Sequence, residues 1–326
     1  MTANRKKVLV PDTLGPAGLA LLEPREDIEI VHFWPGLDKT ELHAVLRDAV
    51  AIVLSYTRFG AAEVAAAPVL QVVARIGVGF DSVEIPPLTA RGIPLMIAGT
   101  ANSTSVAEHA VFLILALAKR ALELDRRVRQ GLWHERKGDF PIEVSGKTVL
   151  VIGFGRIGTR TAPRCRALGL NVLVYDPYIP AATIRDAGYE PVADLDAALP
   201  RADFVSVHCP KSPETTDLFD AARLARMKPG SFLINTARGG IVNEAALYDA
   251  LVSGHLAAAG LDVFATEPAQ ASNQLFSLDT VLLTPHMAGV TVEAVAGMAE
   301  AVARNVLSVL DGQPIRENVV NQEVLR

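Results

Sequence analysis

A glycine-rich turn between an apolar run and a predicted helix constrains this chain most. The run Val149–Ile152 leads directly into Gly153, Gly155 and Gly158, an unbroken GxGxxG spacing. The first glycine permits a tight turn, the second lets the backbone approach a pyrophosphate, and the third lets helix and strand pack closely. The helix, predicted to open at Arg156, points free N–H groups at that phosphate. The pattern predicts a dinucleotide-binding βαβ unit.

An acidic residue at the end of the next apolar run refines this prediction. Asp176 lies 18 residues beyond Gly158 (176 − 158), about where a carboxylate should accept hydrogen bonds from the adenosine ribose hydroxyls. A carboxylate repels the 2′-phosphate of NADP(H), and residues 177–180 include no Arg or Lys. The predicted cofactor is therefore NAD(H).

Short apolar runs alternate with helical patterns, which is typical of βαβ units and a parallel sheet. Strands are predicted at 8–10, 28–31, 51–54, 72–76 and 95–97, and then at 148–152, 172–175, 204–208, 232–235, 258–262 and 281–284. Helices are predicted at 16–22, 39–46 and 61–66, and then from 156, at 195–199, at 221–227 and at 244–253. These two series predict an α/β fold with two doubly wound parallel-sheet lobes.

The connection between the two series sets the expected domain organisation. One helix is predicted over 104–130, bridging the lobes, and a last one over 291–310, returning to the first lobe. We expect a Rossmann dinucleotide-binding domain over 101–289, inserted into a discontinuous flavodoxin-like domain formed by 1–100 and 290–326. The cleft between the lobes is the expected reaction site.

Composition excludes several classes of function. The net charge is −5, from 31 basic and 36 acidic residues without long like-charge runs, which gives no support for nucleic acid or a membrane surface as partner. Cys165 and Cys209 are the only cysteines, so we expect no disulfide framework, no metal site and a cytoplasmic location. The apolar helix at 106–118 is too short to span a bilayer and is interrupted by Glu108 and His109, a polar pair that we interpret as structural.

Three predicted strands of the second series are each followed by a distinctive polar residue: Arg238, Glu267 and His286. Arginine offers a planar fork of donors to a carboxylate or carbonyl oxygen, and histidine exchanges protons near neutral pH. A neighbouring glutamate stabilises the imidazolium form. Each residue also has a structural interpretation, as a loop arginine, a turn-capping glutamate before Pro268 or a strand-end histidine, and spacing alone does not bring them together.

The chain resembles the D-isomer-specific 2-hydroxyacid dehydrogenase family over nearly its whole length, most closely its D-3-phosphoglycerate dehydrogenase and hydroxypyruvate reductase group. The segments that carry this resemblance are 147–158, 234–240, 261–268 and 284–289. It implies that Arg238 binds the substrate's carboxylate and carbonyl oxygen, that Glu267 pairs with the histidine, and that His286 is the acid–base. It also implies that the discontinuous domain binds the substrate.

The glycine motif and the resemblance together imply which residues bind NAD. They are Val106, Gly153, Gly155, Arg156, Ile157, Gly158, Asp176, His208, Cys209, Pro210, Thr236, Ala237, Arg238, Asp262 and His286. Within this set, Val106 would pack on the nicotinamide, Asp262 would approach its carboxamide, and residues 208–210 would wall the adenine side. No motif places a base beside Cys209, so we do not interpret this thiol as a nucleophile.

The expected substrate is a small 2-hydroxy or 2-oxo acid of the hydroxypyruvate, glyoxylate or 3-phosphoglycerate type. The expected substrate-binding residues are Tyr56, Arg75, Val78, Gly79, Arg238 and His286. Arg58 and Arg75 are suited to a phosphate, or else face solvent or pair locally, whereas Tyr56 and Phe59 suit an uncharged or aromatic substituent.

The resemblance implies an NAD-dependent D-2-hydroxyacid dehydrogenase of the EC 1.1.1 class. The alternative is an NAD(H)-sensing, corepressor-like binding protein without metabolic turnover. A homodimer is expected, through the bridging helix and the segment around Trp133, although ordinary core packing would also explain that tryptophan. The chain ends at Arg326, and we expect no feedback through the carboxy-terminal regulatory domain of longer phosphoglycerate dehydrogenases.

Overall fold

The computed structural model describes residues 5–134 and 140–325. The described residues fall into two compact units, whose limits are Met1–Asn102 with Val290–Arg326 and Ser103–Gly289. Each unit is described by itself below.

The strands are β1 Lys6–Pro11, β2 Ile28–Phe33, β3 Ala49–Leu54, β4 Val72–Arg75, β5 Leu95–Ile97, β6 Thr148–Ile152, β7 Asn171–Tyr175, β8 Glu190–Pro191, β9 Phe204–Val207, β10 Ser231–Asn235, β11 Leu256–Leu261 and β12 Val281–Leu283. The helices are α1 Pro16–Leu22, α2 Lys39–Leu46, α3 Ala61–Ala66, α4 Ile85–Ala90, α5 Ser103–Ala118, α6 Ala121–Arg129, α7 Gly158–Ala167, α8 Ala181–Asp186, α9 Leu195–Ala198, α10 Ala221–Arg226, α11 Glu244–Val252 and α12 Val292–Leu310. Short 3₁₀ helices lie at Leu199–Arg201, Gln274–Ser277, Arg316–Asn318 and Gln322–Val324.

The first unit is a parallel sheet in the order β2-β1-β3-β4-β5, which is the flavodoxin-like order. Because side chains alternate across a strand, Val8 and Val10 pack on one face with α1 and α12, whereas Leu9 packs on the other with α2, α3 and α4. Both faces are therefore covered, as a parallel sheet requires.

The second unit is a parallel sheet in the order β12-β11-β10-β9-β6-β7-β8. The chain builds outward from β6 in both directions, so the strand order reverses between β6 and β9, the point where dinucleotides bind in Rossmann sheets. Val149 and Val151 pack with α5 and α7 on one face, and Leu150 and Ile152 pack with α9, α10 and α11 on the other. The predicted fold class, two doubly wound lobes, is confirmed.

Two predicted helices differ from the structure. The single helix expected over 104–130 is two helices, α5 and α6, because Arg120 adopts a left-handed conformation with φ 51°. The helix expected to open at Arg156 begins at Gly158, with Ile157 as its N-cap. The last predicted helix is present as α12, capped by the Thr291 side chain, which accepts from the Ala294 N–H at 3.1 Å. Across the described part of the chain, no helix combines the length and apolarity that crossing a membrane would need.

Candidate active site

Three neighbouring strands of the second sheet carry the polar residues that the sequence singles out. Leu261 of β11 is in register with Asn235 of β10 and with Leu283 of β12, the last residues of those strands. Arg238 and His286 each follow a strand end by three residues, and Asp262 directly follows β11. The carboxyl ends of these strands therefore place the three loops side by side.

The loop after β10 is shaped by a buried asparagine. The Asn235 side chain, 2 % exposed, accepts from the Ala237 N–H at 3.0 Å and donates to the Arg238 carbonyl at 2.9 Å. Arg238 is half-buried, and its Nη1 donates to the Ala237 carbonyl at 2.7 Å. Asn235 thus fixes the backbone that presents the guanidinium.

Glu267 and His286 form a close polar pair. Nδ1 of His286 lies 2.6 Å from Oε2 of Glu267, while Oε1 accepts from the Phe264 N–H at 2.9 Å. His286 has φ 56°, an uncommon left-handed conformation for a residue with a side chain. Half of its side chain is exposed. The carboxylate therefore orients the ring and leaves Nε2 as the nitrogen that can exchange a proton.

Asp262 organises the loop that carries the histidine. This carboxylate is 1 % exposed; its Oδ1 accepts from Thr284 Oγ1 at 2.6 Å and from the Met287 N–H at 2.8 Å. Oδ2 accepts from the Ala288 N–H at 2.9 Å, and the backbone carbonyl of Asp262 accepts from the His286 N–H at 2.8 Å. One buried residue thus holds both sides of His286.

His109 extends this network from α5. Its Nε2 lies 3.0 Å from Thr284 Oγ1 and 4.0 Å from Asp262 Oδ1. Burial lowers the pKa of His109 below its ordinary value, against the opposing effect of Asp262. Since Thr284 donates its proton to the carboxylate, it can accept one from the ring. Glu108, in contrast, points to an ion pair with Arg164 at 3.1 Å.

Gly239 joins the arginine loop to the glutamate loop. A Cβ at this position would overlap the carbonyl of Phe264 and lie 2.6 Å from the Ala265 nitrogen. Only glycine allows the two backbones to approach so closely. The positions of Arg238 and Glu267 are therefore coupled through this contact.

The glycine motif forms the turn between β6 and α7. Gly153 has φ 92°, and a Cβ there would lie 2.8 Å from the Cys209 nitrogen; a Cβ on Gly158 would overlap the Gly153 carbonyl. Gly155 is different: it is exposed, and no atom of the described residues lies within 4 Å of the place its Cβ would take. Arg156 beside it is half-buried. The middle glycine therefore leaves open space at the turn.

Asp176 is bound to the glycine turn and to its own loop. Oδ2 accepts from the Phe154 N–H at 2.7 Å, and Oδ1 accepts from the N–H groups of Tyr178 at 2.9 Å and Ile179 at 3.2 Å. The carboxylate of an aspartate offers about four acceptor positions. These three bonds leave it room to accept a ribose hydroxyl.

The loop after β9 contributes three more of the predicted residues, His208, Cys209 and Pro210. His208 Nε2 lies 2.9 Å from Ser206 Oγ, and burial lowers the pKa of His208 to about 4. Burial also raises the pKa of the Cys209 thiol to about 11. The thiol is protonated near neutral pH and is a poor nucleophile. Pro210 after it is exposed.

Two buried polar atoms support a ligand at this edge. Oγ1 of Thr236 and Nδ1 of His208 have no hydrogen-bond partner within the described ranges. Buried polar groups are usually paired, so each is suited to a ligand atom or an ordered water. Val106 is buried, 6 % exposed, at the start of α5, and Ala237 is 8 % exposed. With the space at Gly155 and the carboxylate of Asp176, these residues fit a dinucleotide.

The predicted substrate residues of the first unit lie at the ends of β3 and β4, which are neighbours in its sheet. Tyr56 is 60 % exposed, and Arg75 is half-buried and donates to the Ile76 carbonyl. Val78 and Gly79 are half-buried in the loop after β4, which turns at Gly77 with φ 102°. Arg58 is exposed and Phe59 is buried. Phe59 is therefore a core residue rather than a wall for an aromatic substrate.

The structure adds residues that the sequence did not single out. Asn235 and Glu244 act on the loops through side-chain hydrogen bonds to backbone N–H groups of Ala237 and Ala265, and the sequence gives a signal only for Asn235, since asparagine often bonds the backbone two residues later. The sequence suggests only a structural role for His109, and the structure places it beside the buried aspartate. Across the part of the chain that is described, no group of three or more His, Cys, Asp or Glu side chains is placed to hold a metal ion.

Known proteins are similar to this chain over nearly its whole length. The sequence model described as "D-isomer specific 2-hydroxyacid dehydrogenase, NAD binding domain" matches residues 111–288. The chain is 43 % identical to a D-3-phosphoglycerate dehydrogenase of Mycobacterium leprae (strain TN) over 324 residues, which is 97 % of this chain and 60 % of that protein. The chain therefore spans about three fifths of the length of this relative.

Solved structures match nearly end to end. A protein from Thermus thermophilus is 33 % identical, with a TM-score of 0.85 over 96 % of this chain and 99 % of that one. The NAD-dependent formate dehydrogenase from Staphylococcus aureus in complex with NAD is 28 % identical, with a TM-score of 0.84 over 96 % of this chain and 98 % of that one.

Proposed function

Because the chain belongs to the D-isomer specific 2-hydroxyacid dehydrogenase family, we propose that it transfers hydride reversibly between NAD(H) and a small D-2-hydroxy or 2-oxo acid. It would be an NAD-dependent dehydrogenase of the EC 1.1.1 class. The observation that carries the proposal is the 2.6 Å pair of Glu267 and His286, which lie in the loops after β11 and β12. Arg238 lies in the loop after β10, the other neighbour of β11.

The side chains take these roles in the direction of reduction. When bound, NADH supplies the hydride. His286, protonated and held at Nδ1 by Glu267, gives the proton on Nε2 to the substrate's carbonyl oxygen. Arg238 binds the substrate's carboxylate and stabilises the negative charge that develops on the oxygen. The carboxylate of Glu267 offsets the charge of the imidazolium.

The second unit would hold the dinucleotide along the carboxyl edge of its sheet. The turn at Gly153, Gly155 and Gly158 with Arg156 and Ile157 would bind the pyrophosphate. Asp176 would accept a hydrogen bond from a hydroxyl of the adenosine ribose. Its negative charge favours NAD over NADP, which carries a phosphate there. The residues lining the rest of the dinucleotide would be Val106, His208, Cys209, Pro210, Thr236, Ala237 and Asp262.

Substrate recognition would be shared with the first unit. In this proposal, residues 1–100 with 290–326 are the substrate-binding domain and residues 101–289 the NAD-binding domain. Backbone N–H groups near Val78 and Gly79 would hold the carboxylate, with Tyr56 and Arg75 beside it. We favour D-3-phosphoglycerate and 3-phosphohydroxypyruvate as the substrate pair, because the Mycobacterium leprae relative carries that name over 97 % of this chain and the exposed Arg58 is free of the core.

A substrate panel tests this function. NADH oxidation, measured at 340 nm, is followed with glyoxylate, hydroxypyruvate, phenylpyruvate and 3-phosphohydroxypyruvate. We expect turnover of at least one, with 3-phosphohydroxypyruvate giving the highest kcat/KM. Turnover of none would contradict the dehydrogenase and favour the NAD(H)-sensing alternative, although the Mycobacterium leprae and Staphylococcus aureus relatives carry dehydrogenase names.

We also propose that the protein is a cytoplasmic homodimer. Both cysteines are unpaired, as in a reducing compartment. Apolar side chains on and after α5 and α6 are exposed: Phe112 by 50 %, Leu122 by 62 %, Val128 by 56 % and Trp133 by 58 %. Exposed apolar groups gathered on one pair of helices are typical of a protein interface. The exposure of Trp133 favours the interface over a core position.

A further inference from the structure

Glu244 links the start of α11 to the segment that carries Glu267. Its Oε1 accepts from the Ala265 N–H at 2.6 Å, and its Oε2 accepts from the side-chain amide of Asn273 at 2.7 Å. Both oxygens of one half-buried carboxylate are therefore engaged with the two ends of the segment 265–273. Hydrogen bonds to an ionised acceptor are about twice as strong as neutral ones.

Most of the segment 265–273 is exposed. Ala265, Thr266, Glu267 and Pro268 are all exposed. A hollow of about 420 Å³, lined in part by Glu244 and Gln270, lies against the segment. Within the segment, Ala269 packs against the apolar core of the second unit. The exposed residues beside it, Ala265 to Pro268, depend on polar contacts for their position, of which those to Glu244 lie at the two ends of the segment.

The position that Glu244 fixes adjoins the acid–base pair. Ala265 follows Phe264, whose N–H donates to Oε1 of Glu267, and Oε2 of Glu267 faces His286. The other end, Asn273, begins the 3₁₀ helix at Gln274–Ser277 by accepting from the Leu275 N–H at 3.1 Å. A shift of this segment would carry Glu267 away from the imidazole.

We propose that Glu244 is a positioning residue for the acid–base pair, holding the segment 265–273 so that Glu267 meets His286. This inference rests on the proposed function for its kinetic consequence. Glu244 does not touch substrate or cofactor in this proposal. It acts only through the loop, so its loss should lower kcat and leave the binding of NADH nearly unchanged.

The hydrogen-bond polarity offers a sharp test. In Glu244→Gln, the new amide oxygen can still accept from the Ala265 N–H. The new amide nitrogen, however, faces the side-chain amide nitrogen of Asn273, and two donors cannot form a hydrogen bond with each other. Asn273→Asp alone brings two carboxylates together. The double variant Glu244→Gln/Asn273→Asp restores a donor opposite an acceptor. Glu293→Gln, an exposed first-turn acid of α12, is the control for loss of one negative charge.

Two readouts are measured on all variants: kinetics with the best substrate of the panel, and hydrogen exchange of the backbone amides over 263–267. We expect Glu244→Gln to lower kcat by about tenfold to a hundredfold, as misplacement of about 1 Å can, and to speed amide exchange. The double variant should recover both, while KM and the dissociation constant of NADH change little.

The outcomes separate the two proposals. Wild-type kinetics in Glu244→Gln, or a loss that the double variant does not recover, would overturn the positioning role. If the wild-type protein turns over no substrate of the panel, the proposed function fails. The exchange data then decide alone: faster exchange in Glu244→Gln that the double variant reverses supports the role of Glu244 in fixing the loop, and unchanged exchange overturns it.

Discussion

Glu267 divides its two carboxylate oxygens between the histidine and the backbone, since one faces Nδ1 of His286 and the other accepts from Phe264. The imidazole ring of His286 is therefore oriented by a carboxylate that is itself held by the backbone. A proton on Nε2 is then presented in a single direction, which is the condition for efficient general acid catalysis. We therefore expect substitution of His286 to lower kcat more than substitution of any other residue of the site.

We expect His286→Ala to lower kcat by about 10²–10⁴-fold, the usual contribution of general acid–base catalysis. NADH affinity, measured by fluorescence titration, should change little, because the substitution removes a proton donor and leaves the glycine turn intact. His32→Ala, at an exposed position of β2, is the matched control and should keep wild-type kcat. Full activity in His286→Ala would exclude this histidine as the acid–base.

His208 should make stability depend on pH. Its folded pKa is about 4 against the ordinary 6.5, so the unfolded chain binds more protons between these values. The free energy of unfolding should therefore fall as pH is lowered from about 6.5 to about 4, by up to about 1.4 kcal/mol per pH unit from this group.

Urea unfolding of the wild type and of His208→Gln at pH 7, 6, 5 and 4 measures this effect. The stability difference between the two proteins, wild type minus variant, should shrink as pH falls, because glutamine does not titrate. The carboxylates titrate in both proteins, so their effect on the free energy of unfolding cancels in the difference. A difference that stays constant over this range would show that His208 is not held neutral by the fold.

Asp262 shows how far the contacts of a single residue can be predicted from the sequence. The family resemblance implies that Asp262 approaches the nicotinamide carboxamide, and its position directly after a predicted strand puts it at the carboxyl edge of the sheet. Its three side-chain partners, Thr284, Met287 and Ala288, lie more than twenty residues away, and they reach it only because β11 and β12 pair in register. Those hydrogen bonds depend on the assembled sheet, and no local pattern encodes them.

At the scale of the element, the three glycines of the turn between β6 and α7 have different roles: two are required by the fold and one, in our proposal, by the ligand. Gly153 and Gly158 are required by the protein itself, since a Cβ at either would meet backbone atoms. Gly155 has no such constraint, because its Cβ would enter open space with respect to the described residues. Its role, in our proposal, is close approach of the pyrophosphate.

Gly155→Ala should therefore leave stability unchanged and weaken cofactor binding. We expect the melting temperature without cofactor to match the wild type and the dissociation constant of NADH to rise by about tenfold or more, a cost of about 1.4 kcal/mol. Calorimetric titration and thermal unfolding give the two values. Gly158→Ala is the comparison, and it should lower the melting temperature. If Gly155→Ala bound NADH as tightly as the wild type, the pyrophosphate would not lie over this glycine.

Elements were predictable where periodicity and turn residues agreed, as for α1, α2 and α3, whose bounds match the predicted ones. The break between α5 and α6 was not, because the left-handed residue there is Arg120, and neither glycine nor proline marks the place. The sequence pattern does not predict α4, because Pro86 and Pro87 interrupt it, although proline in the first turn of a helix is well tolerated.

At the scale of the whole molecule, each of the two units is one parallel sheet with its own strand order. Each sheet gathers its loops at the carboxyl ends of parallel strands, and each was predicted from alternating apolar and helical patterns. The order of strands is not encoded in those patterns, because it depends on which strands pair in the assembled sheet. Within a single chain, several apolar side chains of α5 and α6 are exposed to solvent.

α6 has no buried residue, and Leu122 and Val128 on it are 62 % and 56 % exposed. If a second copy covers them, Leu122→Glu with Val128→Glu should dissociate the dimer, because charges would be buried without partners. Light scattering should give about twice 34.7 kDa for the wild type and about 34.7 kDa for the variant. The melting temperature of the wild type should also rise with protein concentration. Val292→Glu, at an 84 % exposed position of α12, should remain dimeric, and a wild type that is monomeric at every concentration would refute the interface.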